Sequence, residues 1–244
     1  MLFTLQAFAK MSELVRTMNY SEFYATFQWP RPEYCNFATD VIDRWAEDPE
    51  KLAMLWVDDT GNETRKSFWD ISIASRRLAN VLADAGVTRG DTVVVMLGRQ
   101  IAWWESVTAC LRMGAIVSPG TMQLAANDLA YRINTAEASC IITDHDGAKK
   151  LEQVLDQCPS LQAKLVIEGP RDGWIDYNEA LGQASSEFPV VETKAEAPAL
   201  CYFTSGTTGY PKMAMHSHSY GLAHTTTGKY WLDLKENDLH WNIS

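Results

Sequence analysis

No apolar run in the sequence approaches the ~18 residues that a bilayer-crossing helix needs, so no membrane span is predicted. Positive charge is also scarce: 21 Lys and Arg stand against 31 Asp and Glu, for a net charge of -10 and a pI near 4.9. Nucleic acids and anionic membranes are gripped by clustered Lys and Arg, so neither is a predicted partner. An anionic ligand would have to be held locally. The five cysteines (Cys35, Cys110, Cys140, Cys158 and Cys201) are odd in number, scattered and never spaced CxxC, which suggests neither a disulfide framework nor a zinc site. That usage fits a reducing compartment, and a cytoplasmic location is the expectation. The opening MLFTLQAFAK has its lysine behind the apolar patch rather than ahead of it and no small-residue cleavage site after it, so no secretory signal is predicted. Met11, which opens MSELV, is a second candidate start.

The 244 residues suffice for one large or two small domains, and 46% hydrophobic with 21% charged residues is ordinary for a folded chain. Leu52 to Asp59 and Thr64 to Phe68 flank Thr60, Gly61 and Asn62, the turn chemistry of a β-hairpin. Helical spacing of Ile71, Ala74, Leu78 and Leu82 predicts a helix over Trp69 to Asp84, stopped near Gly86. Thr92 to Leu97 is then a strand. The pair recurs: helix Ala102 to Met113 and strand Ala115 to Ser118, helix Asn127 to Glu137 and strand Cys140 to Thr143, helix Gly147 to Gln157 and strand Leu165 to Ile167. Short apolar runs without polar alternation suit strands covered on both faces, which predicts a mostly parallel, doubly wound α/β sheet flanked by helices. Gln183 to Pro198 reads as a surface linker, and Ala199 to Phe203 as one more buried strand.

Directly behind that strand stands TSGTTGYPK, Thr204 to Lys212. No Asp or Glu occurs from Ala197 to Trp231, although the chain has 31. Gly206 and Gly209 permit close approach of a ligand to the backbone, Thr204, Ser205, Thr207 and Thr208 add hydroxyl donors, and Lys212 adds a compact charge. Together they suit phosphate, at the edge of the sheet where open α/β folds bind ligands. The alternative is a solvated Ser/Thr/Gly turn. Neither GxxxxGK[ST] nor GxGxxG occurs.

This segment resembles the phosphate-loop signature of adenylate-forming enzymes, which include acyl-CoA synthetases, luciferases and nonribosomal-peptide adenylation domains. Leu111 to Gly120 (LRMGAIVSPG) and Ser67 to Val95 are similar to other segments of that family. The texture of PKMAMHSHSY and LHWNIS looks most like medium-chain acyl-CoA synthetases, and the likeness runs from about Ala53 onward. The resemblance implies an incomplete amino-terminal part of the family's large domain: an extension over 1–20, a first α/β subdomain over 21–196, and over 197–244 the strand, the phosphate loop and the truncated start of the next subdomain. It implies a ligase that joins a fatty carboxylate to ATP and then to coenzyme A, with Mg²⁺ between phosphate oxygens. Thr204, Ser205, Gly206, Thr207, Thr208, Gly209, Tyr210, Pro211 and Lys212 are the implied nucleotide site, with no catalytic or metal-ligating residue assigned. Relatives are more than twice as long, and their adenine, ribose and magnesium ligands and catalytic lysine would lie past Ser244, so the chain alone is expected to be inactive. An ATP- or pyrophosphate-binding module and a non-functional truncated product are the alternatives. Eukaryotic relatives of this type occupy the mitochondrial matrix, the alternative to the cytoplasm.

Other residues draw plainer readings. His216 or His218 stands at about the distance from the loop at which that family carries a histidine, and the HxH spacing on a strand would put both imidazoles on one face; two ligands are too few for a metal site. Trp103 and Trp104 read as helix core, Lys149 and Lys150 as a solvated helix face, and Cys201 as a small buried hydrophobe.

Overall fold

The computed structural model describes residues 19–204 and 209–241. The chain divides into two compact units, Met1–Arg31 and Pro32–Ser244. In the first, helix α1 (Tyr20–Thr26) opens with a capping box: the Asn19 side chain accepts the Glu22 N–H at 3.0 Å, and the Glu22 carboxylate accepts the Asn19 N–H at 3.3 Å. No residue of α1 is buried.

The second unit begins with a short π-helical segment, Ala38–Asp43, and the antiparallel hairpin β1 (Leu52–Val57) and β2 (Glu63–Ser67). Its turn is organised by Asp58, whose carboxylate accepts from the Thr60 and Asn62 backbones and from both their side chains. Those bonds, the Thr60 side chain first, draw the Asp58 carboxyl down to about 2. Helix α2 (Phe68–Asp84) starts on a second capping box, Ser67 with Asp70, and ends where Gly86 takes φ +91° and the Val87 N–H reaches back to the Leu82 carbonyl at 2.9 Å.

Then follow β3 (Thr92–Met96), α3 (Ile101–Met113), β4 (Ile116–Gly120), α4 (Ala126–Thr135), β5 (Cys140–Thr143), α5 (His145–Glu152), β6 (Ala163–Val166), β7 (Ile175–Asp176), α6 (Tyr177–Gln183), β8 (Pro198–Thr204), β9 (Lys212–Ser217) and α7 (Tyr220–Thr226). Seven strands form one sheet in the order β7-β6-β5-β3-β4-β8-β9, parallel throughout except for antiparallel β9 at the edge. β3 is buried along its whole length, and its period of two divides the core. Val93 and Val95 join Leu78, Leu82, Met113 and Leu165 on one face; Val94 and Met96 join Leu129, Ile133, Ile141 and Leu151 on the other. Each fully buried aliphatic side chain contributes about 1.5–3 kcal/mol.

The sequence expectations need correction at three places. The helix predicted to Gln157 breaks after Glu152, and Leu155–Gln157 is a separate 3₁₀ turn. The helix predicted to Glu137 stops at Thr135, and Glu137 itself takes φ +47°. The stretch read as a surface linker is pinned in its second half. There Thr193 and Ala195 are buried, the Cys35 N–H donates to the Thr193 carbonyl at 2.9 Å, and the Thr193 hydroxyl donates to the Cys35 carbonyl. Those bonds join residues far apart in the chain, which local composition does not encode.

Candidate functional site

The strand predicted over Ala199 to Phe203 forms as β8, but only Ala199 and Cys201 of it are buried. Only the edge strand β9 lies beyond β8 in the sheet, so Leu200, Tyr202 and Phe203 stay partly exposed. The hydroxyl-rich segment is the connection of a hairpin. β9 runs back along β8 with Thr204 opposite Lys212, Phe203 opposite Met213 and Leu200 opposite His216. Because β8 is parallel to β4 through the Val117 and Leu200 rung, the connection lies at the carboxyl edge of the parallel strands. Thr204 is exposed at its entry, and its hydroxyl donates to the Lys212 carbonyl at 3.3 Å. Gly209 takes φ +150°, a backbone conformation that L side chains rarely adopt. Tyr210 is 76% exposed, and Lys212 is exposed at the start of β9 with no ion pair among the described residues. Ser205, Gly206, Thr207 and Thr208 lie outside the described residues.

Two neighbours on α4 hold the stems of this connection, and nothing in the sequence pattern marked them. The half-buried Tyr131 donates its phenol to the Pro211 carbonyl at 3.1 Å and stacks on Tyr210 with ring centroids 4.8 Å apart. The same ring meets Phe203 edge-on at 6.2 Å, and the Arg132 guanidinium lies 4.9 Å over the Phe203 ring. Burial draws Arg132 below its usual value.

The histidines run away from the loop. His216, half-buried, sits between Tyr202 at 5.7 Å and Tyr220 at 4.4 Å, with Tyr220 in turn 4.5 Å from His224. His218 follows the end of β9, which pairs with the first residue of β8; at ~3.4 Å per residue this is about 20 Å from Lys212. It is buried, neither ring nitrogen has a hydrogen-bond partner among the described residues, and burial together with the charge of Arg89 lowers its basicity. The two imidazoles therefore occupy different surroundings, with one half-buried in a ring stack and the other buried beyond the strand.

The remaining candidates divide. Cys201 is buried, and burial pushes its thiol up against opposition from Ser118 and Arg132. Trp103 packs against the core, whereas Trp104 is 52% exposed, edge-on to Trp103 at 4.7 Å. Lys149 is solvated and paired with Asp146 at 2.9 Å, while Lys150 is half-buried and donates to the Met122 carbonyl. A separate open cleft of about 340 Å³ contains none of the loop residues. It is lined by Lys66, Glu105 and Tyr177; the Tyr177 phenol donates to the buried Glu105 at 2.8 Å, and burial, then the Glu105 charge, pushes that phenol well above its usual range. No helix among the described residues is long and apolar enough to cross a membrane.

The pattern of the family described as AMP-binding enzyme matches residues 42–243. Acyl-coenzyme A synthetase ACSM4, mitochondrial, of Mus musculus is 42% identical over 224 residues, covering 88% of this chain and 39% of the relative. The ACSM3 protein of Homo sapiens, also named a mitochondrial acyl-coenzyme A synthetase, is 40% identical over 235 residues, covering 93% of this chain and 40% of the relative. In three dimensions the chain is similar to the crystal structure of Brucella canis acyl-CoA synthetase, with a TM-score of 0.80 at 24% identity over 95% of this chain and 42% of that one. The anthranilate CoA ligase AuaEII in complex with anthranoyl-AMP gives 0.72 at 22% identity, over 88% and 38%. The chain thus spans about two fifths of the length of the relatives it matches.

Proposed function

The chain belongs to the AMP-binding enzyme family, and from that premise we propose that it supplies the triphosphate-holding part of a medium-chain acyl-CoA synthetase. The reaction joins a fatty carboxylate to ATP with loss of pyrophosphate, after which the thiol of coenzyme A displaces AMP. A free carboxylic acid has a pKa near ~4.3, so it arrives ionised and needs no general base. The difficulty is that one anion must attack another, and the protein's task is to orient both and to neutralise charge on the departing pyrophosphate.

In this reading the hydroxyls of Thr204, Ser205, Thr207 and Thr208 and the backbone around Gly206 and Gly209 receive the β and γ phosphates, Tyr210 and Pro211 shape the exit, and Lys212 adds charge. The observation that carries it is the placement of Lys212: exposed, unpaired among the described residues, at the carboxyl edge of the sheet, in a stretch free of Asp and Glu. The described residues offer no group of three or more His, Cys, Asp or Glu able to hold a metal ion. Mg²⁺ would enter as part of the MgATP substrate.

Calorimetry with MgATP and pyrophosphate exchange with a medium-chain acid test the proposal on the 244-residue chain. We expect nucleotide binding without exchange. Failure to bind MgATP refutes the loop assignment, while exchange refutes the expectation that this part is inactive alone. An aggregated product would favour the reading as a non-functional product instead. The ACSM4 and ACSM3 relatives are both named as mitochondrial, which favours a mitochondrial over a cytoplasmic location for this protein, and fractionation of the source cells decides between them.

A further inference from the structure

We propose that Tyr131 is a positioning residue that fixes the exit of the hydroxyl-rich connection in the form that receives a triphosphate; this rests on the phosphate-holding reading above. A glycine-containing connection has many backbone states, and ordering each residue costs about 1–2 kcal/mol, so a binding loop held in place beforehand loses less on binding. The hairpin can hold this one only as far as the pairing of Thr204 with Lys212. Beyond that rung Pro211 has no N–H, and its carbonyl finds its partner outside the hairpin, in the Tyr131 phenol at 3.1 Å.

Tyr210 is 76% exposed, and the ring it stacks on is Tyr131, at 4.8 Å with planes 23° apart. The same ring meets Phe203, the residue before the entry, in a T-shaped approach at 6.2 Å. One side chain therefore touches both stems, 203 on the way in and 210 and 211 on the way out. Its own footing is firm, because α4 buries Leu129, Ala130 and Ile133 against the sheet. Arg132, next in sequence, adds a second hold on Phe203 through its guanidinium at 4.9 Å. Ordinary packing would need one of these contacts; the combination of a hydrogen bond to one stem and ring contacts to both makes a clamp.

The test compares wild type, Tyr131→Phe and Tyr131→Leu in the 244-residue chain, reading amide exchange at Gly209, Tyr210 and Lys212 together with the Kd for MgATP. Tyr131→Leu is expected to speed exchange at those amides about tenfold and to weaken MgATP about tenfold, with exchange in β3 and β5 unchanged. Tyr131→Phe, which keeps the stacking, is expected to restore both to within about threefold of wild type. Exchange and affinity within twofold of wild type in Tyr131→Leu would overturn the proposal, as would faster exchange spread evenly over the sheet. If Tyr131→Leu does not fold, Tyr131→Phe decides alone: about two- to threefold faster exchange at Tyr210 and Lys212 supports the clamp, and no change overturns it. If wild type does not bind MgATP, the phosphate reading fails, and the exchange measurements still judge the clamp.

Discussion

Arg112 meets Asp43 through two parallel N–H···O bonds of 2.8 and 2.7 Å, although the two residues belong to elements separated by the hairpin, α2 and β3. Arg112 is 2% exposed; its guanidinium also donates to Ser75, while Ser72 donates to Asp43 and Arg76 approaches it at 3.2 Å. Burial alone would raise the Asp43 carboxyl. The bonds from Arg112 and Ser72 and the charges of Arg112 and Arg76 more than offset that, and the group lies below its usual value.

Asp43→Asn leaves the Arg112 charge buried and unpaired, and at neutral pH it should cost about 3–5 kcal/mol. The sign with pH follows from the depressed carboxyl. Its contribution is present in full above the unfolded pKa of ~3.9 and is lost as pH falls through the lower folded value. The gap between thermal melts of wild type and Asp43→Asn should therefore be largest at pH 6–7 and narrow progressively as pH falls below about 4. A gap that stays constant down to pH 2.5 would mean that the charge of Asp43 contributes nothing.

Gly147 occupies the first turn of α5, where an added Cβ would stand 1.9 Å from Thr143 Oγ1 and 2.9 Å from Met96 Cε. Thr143 cannot yield cheaply, since its hydroxyl donates to the Met96 carbonyl at 2.8 Å inside the core. Gly147→Ala should destabilise by about 1–3 kcal/mol despite the better helix propensity of alanine. Denaturant titration measures this; a neutral or stabilised variant would show that α5 can shift away from β5.

All five cysteines are free and buried. Burial pushes the Cys35 thiol up to about 11 and Cys110 up to about 12, and raises Cys140, Cys158 and Cys201 as well. At pH 8 the native protein should resist an aromatic disulfide reagent at every thiol, and all five should react in guanidinium. Rapid labelling of one native thiol would contradict its placement.

Lys212→Ala should leave the circular dichroism spectrum unchanged, since the side chain is exposed and makes no ion pair among the described residues, and on the proposed phosphate-holding reading it should weaken MgATP about tenfold or more. Unaltered affinity in a correctly folded variant would remove Lys212 from the nucleotide site.

Most of the sheet was legible in the sequence because its strands are short apolar runs and its helices carry one buried stripe. Cys140 to Thr143 was read to the residue, and the Thr60 to Asn62 turn was located. What composition could not disclose depends on contacts between distant residues. The Ala38–Asp43 segment is held through Asp43 by Arg112, β7 has only two residues, and β9 gains its definition from pairing with β8. The candidate site was legible in its motif but not in its surroundings. Tyr131 reads as one more aromatic residue on a helix, and only the fold brings it onto Pro211 and Tyr210.

The order of strands has a consequence for assembly. β8 pairs with β4 through the rung of Val117 with Leu200, although β5, β6 and β7, which come between them in the chain, lie on the far side of β3. The β8–β9 hairpin can zip on its own within microseconds, because its partners are near neighbours in the chain, but its seat waits on a contact spanning residues 117 to 200, and such closures are slow. During synthesis the segment that carries Lys212 therefore emerges only after the chain of all the parallel strands has been made.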